Sequence, residues 1–362
     1  MIDNHCHPFS LDGEPLDLSA LSLDVGQEPD ADERRRRMGP GRVAVELLTA
    51  RLAARLGCEP DELGAARARA AVDWEAYVSG LFADVGITAL VMDPAWPAGA
   101  AEHLEDYATV SHCSIHPILR IEPIVDQAIG EGAGAEEIVR TVLDAMADAV
   151  SRGFVAFKTI VAYRTGLDVD PQATLRDAQS SLLQDLPVAR RGKALRDLIF
   201  RRALGVAADL GRPFQVHTGI GDSEIRLREA NPLLLEELLR TPEGSAVPIV
   251  LIHGSYPWHD EQAYLAATKP NVWADISLFT IFSPVTVGDR LLRILDLAPA
   301  AKILAATDGY QQPELFWFGA HVLAEGWDEA AKRLAAAGAR SGWLRDVNQA
   351  FFEGNARTLY GI

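Results

Sequence analysis

Cysteine is scarce in this chain: Cys6, Cys58 and Cys113 are the only three among 362 residues. So few, so scattered, they cannot form a disulfide framework or a cysteine-rich zinc knot, and a reducing cytoplasm is the expected home. Long apolar runs are missing too. No stretch reaches the roughly 18 residues needed to cross a bilayer, and no basic segment leads into an apolar one at the start, so neither a membrane span nor a signal peptide is expected. Basic residues are outnumbered, 34 Lys and Arg against 51 Asp and Glu, for a net charge of -17. That balance opposes nucleic acid and anionic membranes as partners. A small-molecule substrate is the expected partner, with homo-oligomerisation left open. The one basic run, Arg34 to Arg37, follows Asp30, Asp32 and Glu33. It reads either as a solvated helix face or as a cap over an anionic substrate.

What is present is ample core material, 48% hydrophobic residues with 23% charged. Short β-type runs alternate with helical periodicity, the pattern of a parallel sheet built from βα units. Strands are predicted at residues 2–4, 87–92, 116–122, 154–160, 213–217, 247–253, 272–275 and 303–307. Eight such strands fit a closed (β/α)8 TIM barrel, and residues 1–362 read as one elaborated domain. Amphipathic helices are predicted at 135–151, 192–209, 233–239, 260–268, 287–297, 313–338 and 344–360. The gap at 11–86 is too long for one connection and carries helical stretches at 42–56 and 61–80. It is read as an inserted helical subdomain after the first strand, a lid or an oligomer contact. Residues 162–187 form a second long loop after the fourth strand.

Four histidines fall at predicted strand ends. His5 and His7 are two apart, so in an extended chain both imidazoles face one side and can share a metal. Phe214-Gln215-Val216-His217-Thr218-Gly219 and Val250-Leu251-Ile252-His253-Gly254 each run an apolar strand into His and then a turn. Either alone could be a hydrogen-bonded core histidine; both at one relative strand position are hard to explain as packing. Asp308 ends the eighth strand, as a helix cap or as a metal ligand and proton acceptor. Lys158 interrupts the apolar fourth strand, and a buried lysine is costly unless paired or functional. In a TIM barrel all these strand ends converge on one mouth.

The order His-x-His, Lys, His, His, Asp resembles the amidohydrolase superfamily across nearly the whole barrel. Several phrases resemble its nodulin/FluG-type branch, whose members occur fused to glutamine-synthetase-like proteins. These are Phe157-Lys158-Thr159-Ile160 with Ala162-Tyr163-Arg164-Thr165-Gly166-Leu167, His217-Thr218-Gly219-Ile220-Gly221-Asp222, Ala230-Asn231-Pro232, His253-Gly254-Ser255-Tyr256-Pro257-Trp258 and Ala306-Thr307-Asp308-Gly309. The resemblance implies a free-standing metal-dependent hydrolase. It implies His5, His7 and Asp308 around one divalent ion and His217 and His253 around a second, with Lys158 as a carbamate bridge or as an ammonium. Zinc suits imidazole and carboxylate donors best, with manganese or iron as alternatives. Asp308 and His253 are the expected catalytic groups. Arg164, Tyr163, Asp222, Arg226, Arg228 and Tyr256, on mouth loops, are candidates to fix a polar substrate, Arg164 as a carboxylate clamp. Glu122 reads as an orienter of a ligand histidine or as a wall ion pair. Hydrolysis of an amide, γ-glutamyl or similar, leads; a decarboxylase or other lyase and a non-catalytic metal-binding barrel are the alternatives.

Overall fold

The computed structural model describes residues 1–24 and 30–362. Eight parallel strands follow one another around a single sheet: β1 (Ile2–Cys6), β2 (Ala89–Met92), β3 (Ser114–Arg120), β4 (Ala156–Thr159), β5 (Phe214–His217), β6 (Ile249–Ile252), β7 (Val272–Ile276) and β8 (Ile303–Ala305). The predicted TIM barrel is the observed fold. Seven of the eight strands are buried along all or nearly all of their length, which explains their continuous apolar runs: a parallel strand is covered on both faces. The seam between β8 and β1 is drawn together just past β8. There Asp308 N–H donates to the His5 carbonyl at 2.9 Å, His7 N–H donates to the Gly309 carbonyl at 2.8 Å, and the Asp3 carboxylate accepts from Thr307 N–H at 2.9 Å.

Outer helices bury one stripe each. In Ala135–Ser151 the buried Ile138, Val142, Met146 and Ala149 recur at helical spacing, and in Val287–Leu297 so do Val287, Leu291 and Ile294. The last helix, Asn355–Tyr360, packs Ala356 and Tyr360 in one cluster with Ile2, Ala89 and Val155 at the strand beginnings. From there Tyr360 Oη donates to Asn4 Oδ1 at 2.7 Å and accepts from Gln215 Nε2 at 2.8 Å. This end of the barrel is thus plugged, and the strand ends that carry His217, His253 and Asp308 lie at the other.

Several strands are shorter than expected by two or three residues, the loop at 162–187 contains the helix Leu175–Ser181, and two further differences have a clear local cause. The third strand lies two residues earlier than predicted, and Glu122 opens the helix Glu122–Gly130 because Pro123 suits a first helical turn. Residues 61–80 divide into Leu63–Ala70 and Trp74–Asp84, since Asp73 caps a new helix by accepting from Ala76 N–H at 3.1 Å. The material after β1 does two things. Val43–Leu56 leans on the outer helix Pro313–Ala336, where Arg51 meets Glu325 at 2.8 Å. Arg67, buried, ties this region to the same helix through Glu314 at 2.8 Å and lies 4.8 Å from the Trp74 ring. Earlier residues of the segment, from Asp17 to Asp24 with Arg35, instead border the cavity over the barrel mouth.

Candidate active site

Strand geometry sets the site. In β4, Phe157 and Thr159 point outward, Phe157 to Phe214 and Thr159 to Glu122, so Lys158 points into the barrel. After β5 and β6 the chain must turn at once. Gly219 does so at φ +70°, where an added Cβ would collide with the backbone of Ser255 and Tyr256. His253 (φ 70°), Asp308 (φ 54°) and Leu278 (φ 53°) also hold left-handed backbone, strain of the kind that clusters where side chains must be aimed. For His253 the fixing contacts are its N–H to Asp275 Oδ1 at 2.9 Å and to Ser277 Oγ at 3.1 Å.

The six residues singled out in the sequence meet. His5 Nε2 lies 3.4 Å and His7 Nε2 3.6 Å from Asp308 Oδ1, and His253 Nδ1 lies 3.5 Å from Asp308 Oδ2. His253 Nε2 and His217 Nδ1 are 2.9 Å apart, and Lys158 Nζ is 2.7 Å from His5 Nε2. Donor atoms of His5, His253 and Asp308 lie within 4.8 Å of one another.

Burial holds all four imidazoles well below their ordinary pKa, aided for His5, His7 and His217 by the Lys158 charge and for His253 by His217. They are neutral bases at pH 7. Burial raises Asp308 to about 7 against the pull of Lys158. Among the described residues, Asp308 Oδ1 and His217 Nε2 are buried with no hydrogen-bond partner. Neutral imidazoles, a carboxylate and orphaned lone pairs in one enclosure fit a divalent cation, which would complete them.

Sequence reasoning missed Asp93 and Arg120. Asp93, just past β2 and fully buried, takes Arg120 at 2.6 Å and Lys158 at 3.2 Å, and its backbone carbonyl faces His7 Nδ1 at 3.2 Å. Burial alone would raise its pKa, but Arg120 and Lys158 hold it well below the carboxylate range. Both residues end apolar strands, as Asp308 does, so the signal was there. Asp275 was also missed as the group that fixes His253.

Above the cluster opens a cavity of about 560 Å³ bordered by His7, Lys158, His217, His253 and Asp308. Arg164, Tyr163 and Asp222 line it as expected. The Arg164 Nε is tied to Asp126 at 3.0 Å, and Tyr163 Oη accepts from Asp222 N–H at 3.1 Å. Arg226 and Tyr256 do not line it. Arg226 is exposed beside Glu229 at 3.4 Å, and Tyr256 stacks on Phe279 under Arg290 because the turn after His253 carries it outward. Arg228 is likewise exposed and off the cavity. Among the described residues Glu122 makes no ion pair; it accepts from Thr159 Oγ1 on the outer side of β4, away from the histidines.

The family model described as amidohydrolase matches residues 2–362. The chain belongs to the amidohydrolase family. It is 36% identical over 191 residues to the protein fluG of Emericella nidulans, a match that spans 49% of this chain and 21% of that protein. A provisionally assigned metal-dependent hydrolase from Lactobacillus casei superposes with a TM-score of 0.85 at 24% identity, covering 100% of this chain and 95% of its own. A uronate isomerase from Thermotoga maritima gives 0.70 at 13% identity, covering 99% and 94%. These two likenesses show the fold. Among the described residues no helix is long and apolar enough to cross a membrane.

Proposed function

We propose that this amidohydrolase-family enzyme hydrolyses the C–N bond of a small polar amide that carries a carboxylate, of γ-glutamyl or similar type. One observation carries the reading: four neutral imidazoles and a carboxylate with a partnerless oxygen converge under a cavity whose wall holds Arg164. His5, His7, His217, His253 and Asp308 would hold the metal, zinc before manganese or iron on donor chemistry. When bound, the ion supplies Lewis acidity and acidifies water.

The protein's own groups do the rest. Asp308 Oδ1, which faces the cluster, accepts the proton of the attacking water and returns it to the leaving nitrogen. The Arg164 guanidinium, anchored through Nε, presents its two terminal nitrogens to a substrate carboxylate in bidentate fashion. Lys158, paired with Asp93 at 3.2 Å, keeps positive potential beside the carbonyl oxygen as charge develops on it. The segment at 11–86 acts in part as a lid, since Ser19, Ser22, Leu23 and Arg35 border the cavity and would limit substrate size.

A second reading, a decarboxylase, is favoured by one feature: His5, His253 and Asp308 form a compact set suited to a single ion, while Lys158 already has Asp93 as counter-ion. The test is a product assay on metal-reconstituted enzyme with γ-glutamyl amides and aryl carboxylic acids. Stoichiometric amine release that disappears in Asp308→Asn supports hydrolysis. Carbon dioxide release without amine establishes the decarboxylase instead.

A further inference from the structure

The cavity is divided by the strand order. On one side Leu278 and Phe282 after β7, Tyr310 after β8 and Trp96 after β2 give it an apolar and aromatic strip, beside Gln311 and the polar and charged residues contributed by the segment after β1. Trp96 is 43% exposed, sets its ring edge-on to His7 at 6.3 Å, and lies 6.3 Å from Tyr310. The lining from β3, β4 and β5 is polar and charged: Arg120, Lys158, Tyr163, Arg164 and Asp222. In an eight-stranded barrel β8 and β1 stand across the axis from β4 and β5. The aromatic strip therefore faces a charged wall that carries Arg120, Lys158 and Arg164 with Asp222 and Glu224, and the His/Asp cluster lies between them.

We infer that the substrate is an amide whose acyl part bears a carboxylate, seated toward Arg164, and whose leaving amine bears a flat apolar ring, seated against Trp96. The inference deepens the hydrolytic reading and rests on it for the placement of the scissile bond. An exposed indole beside a reaction centre gains by covering an aromatic ring, through burial and stacking, and gains little from a polyol or a small aliphatic amine. The reaction balances with water alone. The C–N bond breaks, a C–O bond forms, and the water proton travels through Asp308 to the departing nitrogen, giving a dicarboxylic acid and an aryl amine.

Binding is tested apart from turnover with 4-oxo-5-phenylpentanoic acid, in which CH2 replaces the amide NH of succinanilic acid and cannot be hydrolysed. Calorimetry on the metal-loaded full chain compares it with its methyl ester, with 4-oxopentanoic acid, which lacks the ring, and with D-glucuronate. The ring-bearing acid should bind at least about tenfold more tightly than 4-oxopentanoic acid. Trp96→Leu should erase that ratio while leaving 4-oxopentanoic acid unchanged, and Arg164→Gln should erase the preference for acid over ester while leaving the ring preference. Equal binding with and without the ring, or tighter binding of D-glucuronate, overturns the inference. Aniline release from succinanilic acid is scored separately and reports on the hydrolytic reading, so the two can fail independently.

Discussion

Replacing Asp93 by Asn removes one negative charge from a fully buried group that faces two cations, Arg120 at 2.6 Å and Lys158 at 3.2 Å. Asparagine keeps the shape, so packing is conserved and the electrostatic consequence is isolated. Removing one partner of a buried ion pair costs roughly 3–5 kcal/mol, because the remaining charge is left desolvated and unmatched. Unfolding entropy of about 2.1 cal/mol/K per residue, over a chain of 362 residues, converts that loss into a melting shift of about 4 to 7 °C. Calorimetry on chelated protein reads it directly. Adding Arg120→Gln removes one of the two stranded cations and should restore part of the loss, giving a double-mutant cycle with a coupling of at least about 1 kcal/mol. Turnover should fall while bound metal stays, since the Asp93 carboxylate lies outside the His5, His253 and Asp308 donor set. A melting shift below about 1 °C would refute the reasoning, and with it the view that Asp93 anchors Lys158.

Two further perturbations test other parts of the account. Arg67→Met strands Glu314, which is fully buried and among the described residues otherwise accepts only from Tyr77 Oη at 2.9 Å, so a loss of roughly 3–5 kcal/mol is expected, with partial recovery in Arg67→Met/Glu314→Gln. Urea unfolding checks it, and no loss would show that the segment after β1 is not secured there. Burial lowers His259 to about 4. A histidine depressed in the folded state stabilises above its unfolded value of about 6.5 and loses that contribution as pH falls toward the folded value, at about 1.4 kcal/mol per unit. Between pH 7.5 and 5.5, His259→Phe should therefore lose about 1.4 kcal/mol less stability than the parent, and parallel slopes would contradict burial of a neutral ring.

Strand positions were legible because parallel strands bury both faces, which writes them as apolar runs ended by a turn residue. His217, His253 and Asp308 stood out for the same reason, each a polar group at the end of such a run. Asp93 and Arg120 carry that signature too, after Val91-Met92 and Ile118-Leu119, but Asp and Arg next to a loop read as ordinary surface residues until the barrel closes over them. The pairing of His253 with both His217 and Asp308 depends on how β6, β5 and β8 tilt at the mouth, which no spacing in the chain expresses. Arg226 and Tyr256 were misplaced because a loop's motif resemblance says nothing about which side chains turn inward. The division of the 11–86 segment between outer helix and mouth likewise depends on long-range contacts, Arg67 to Glu314 and the Ser223 N–H to the Leu23 carbonyl at 2.7 Å.

On the proposed function, the buried imidazole and carboxylate cluster holds a divalent ion that the enzyme needs. Elemental analysis of protein expressed with metal supplementation, paired with the amide-hydrolysis assay before and after chelation, tests it most directly. About one ion per chain or more is expected, with activity lost on chelation and regained on readdition, and both lost together in His5→Ala. Active protein carrying less than about 0.1 ion per chain would contradict it.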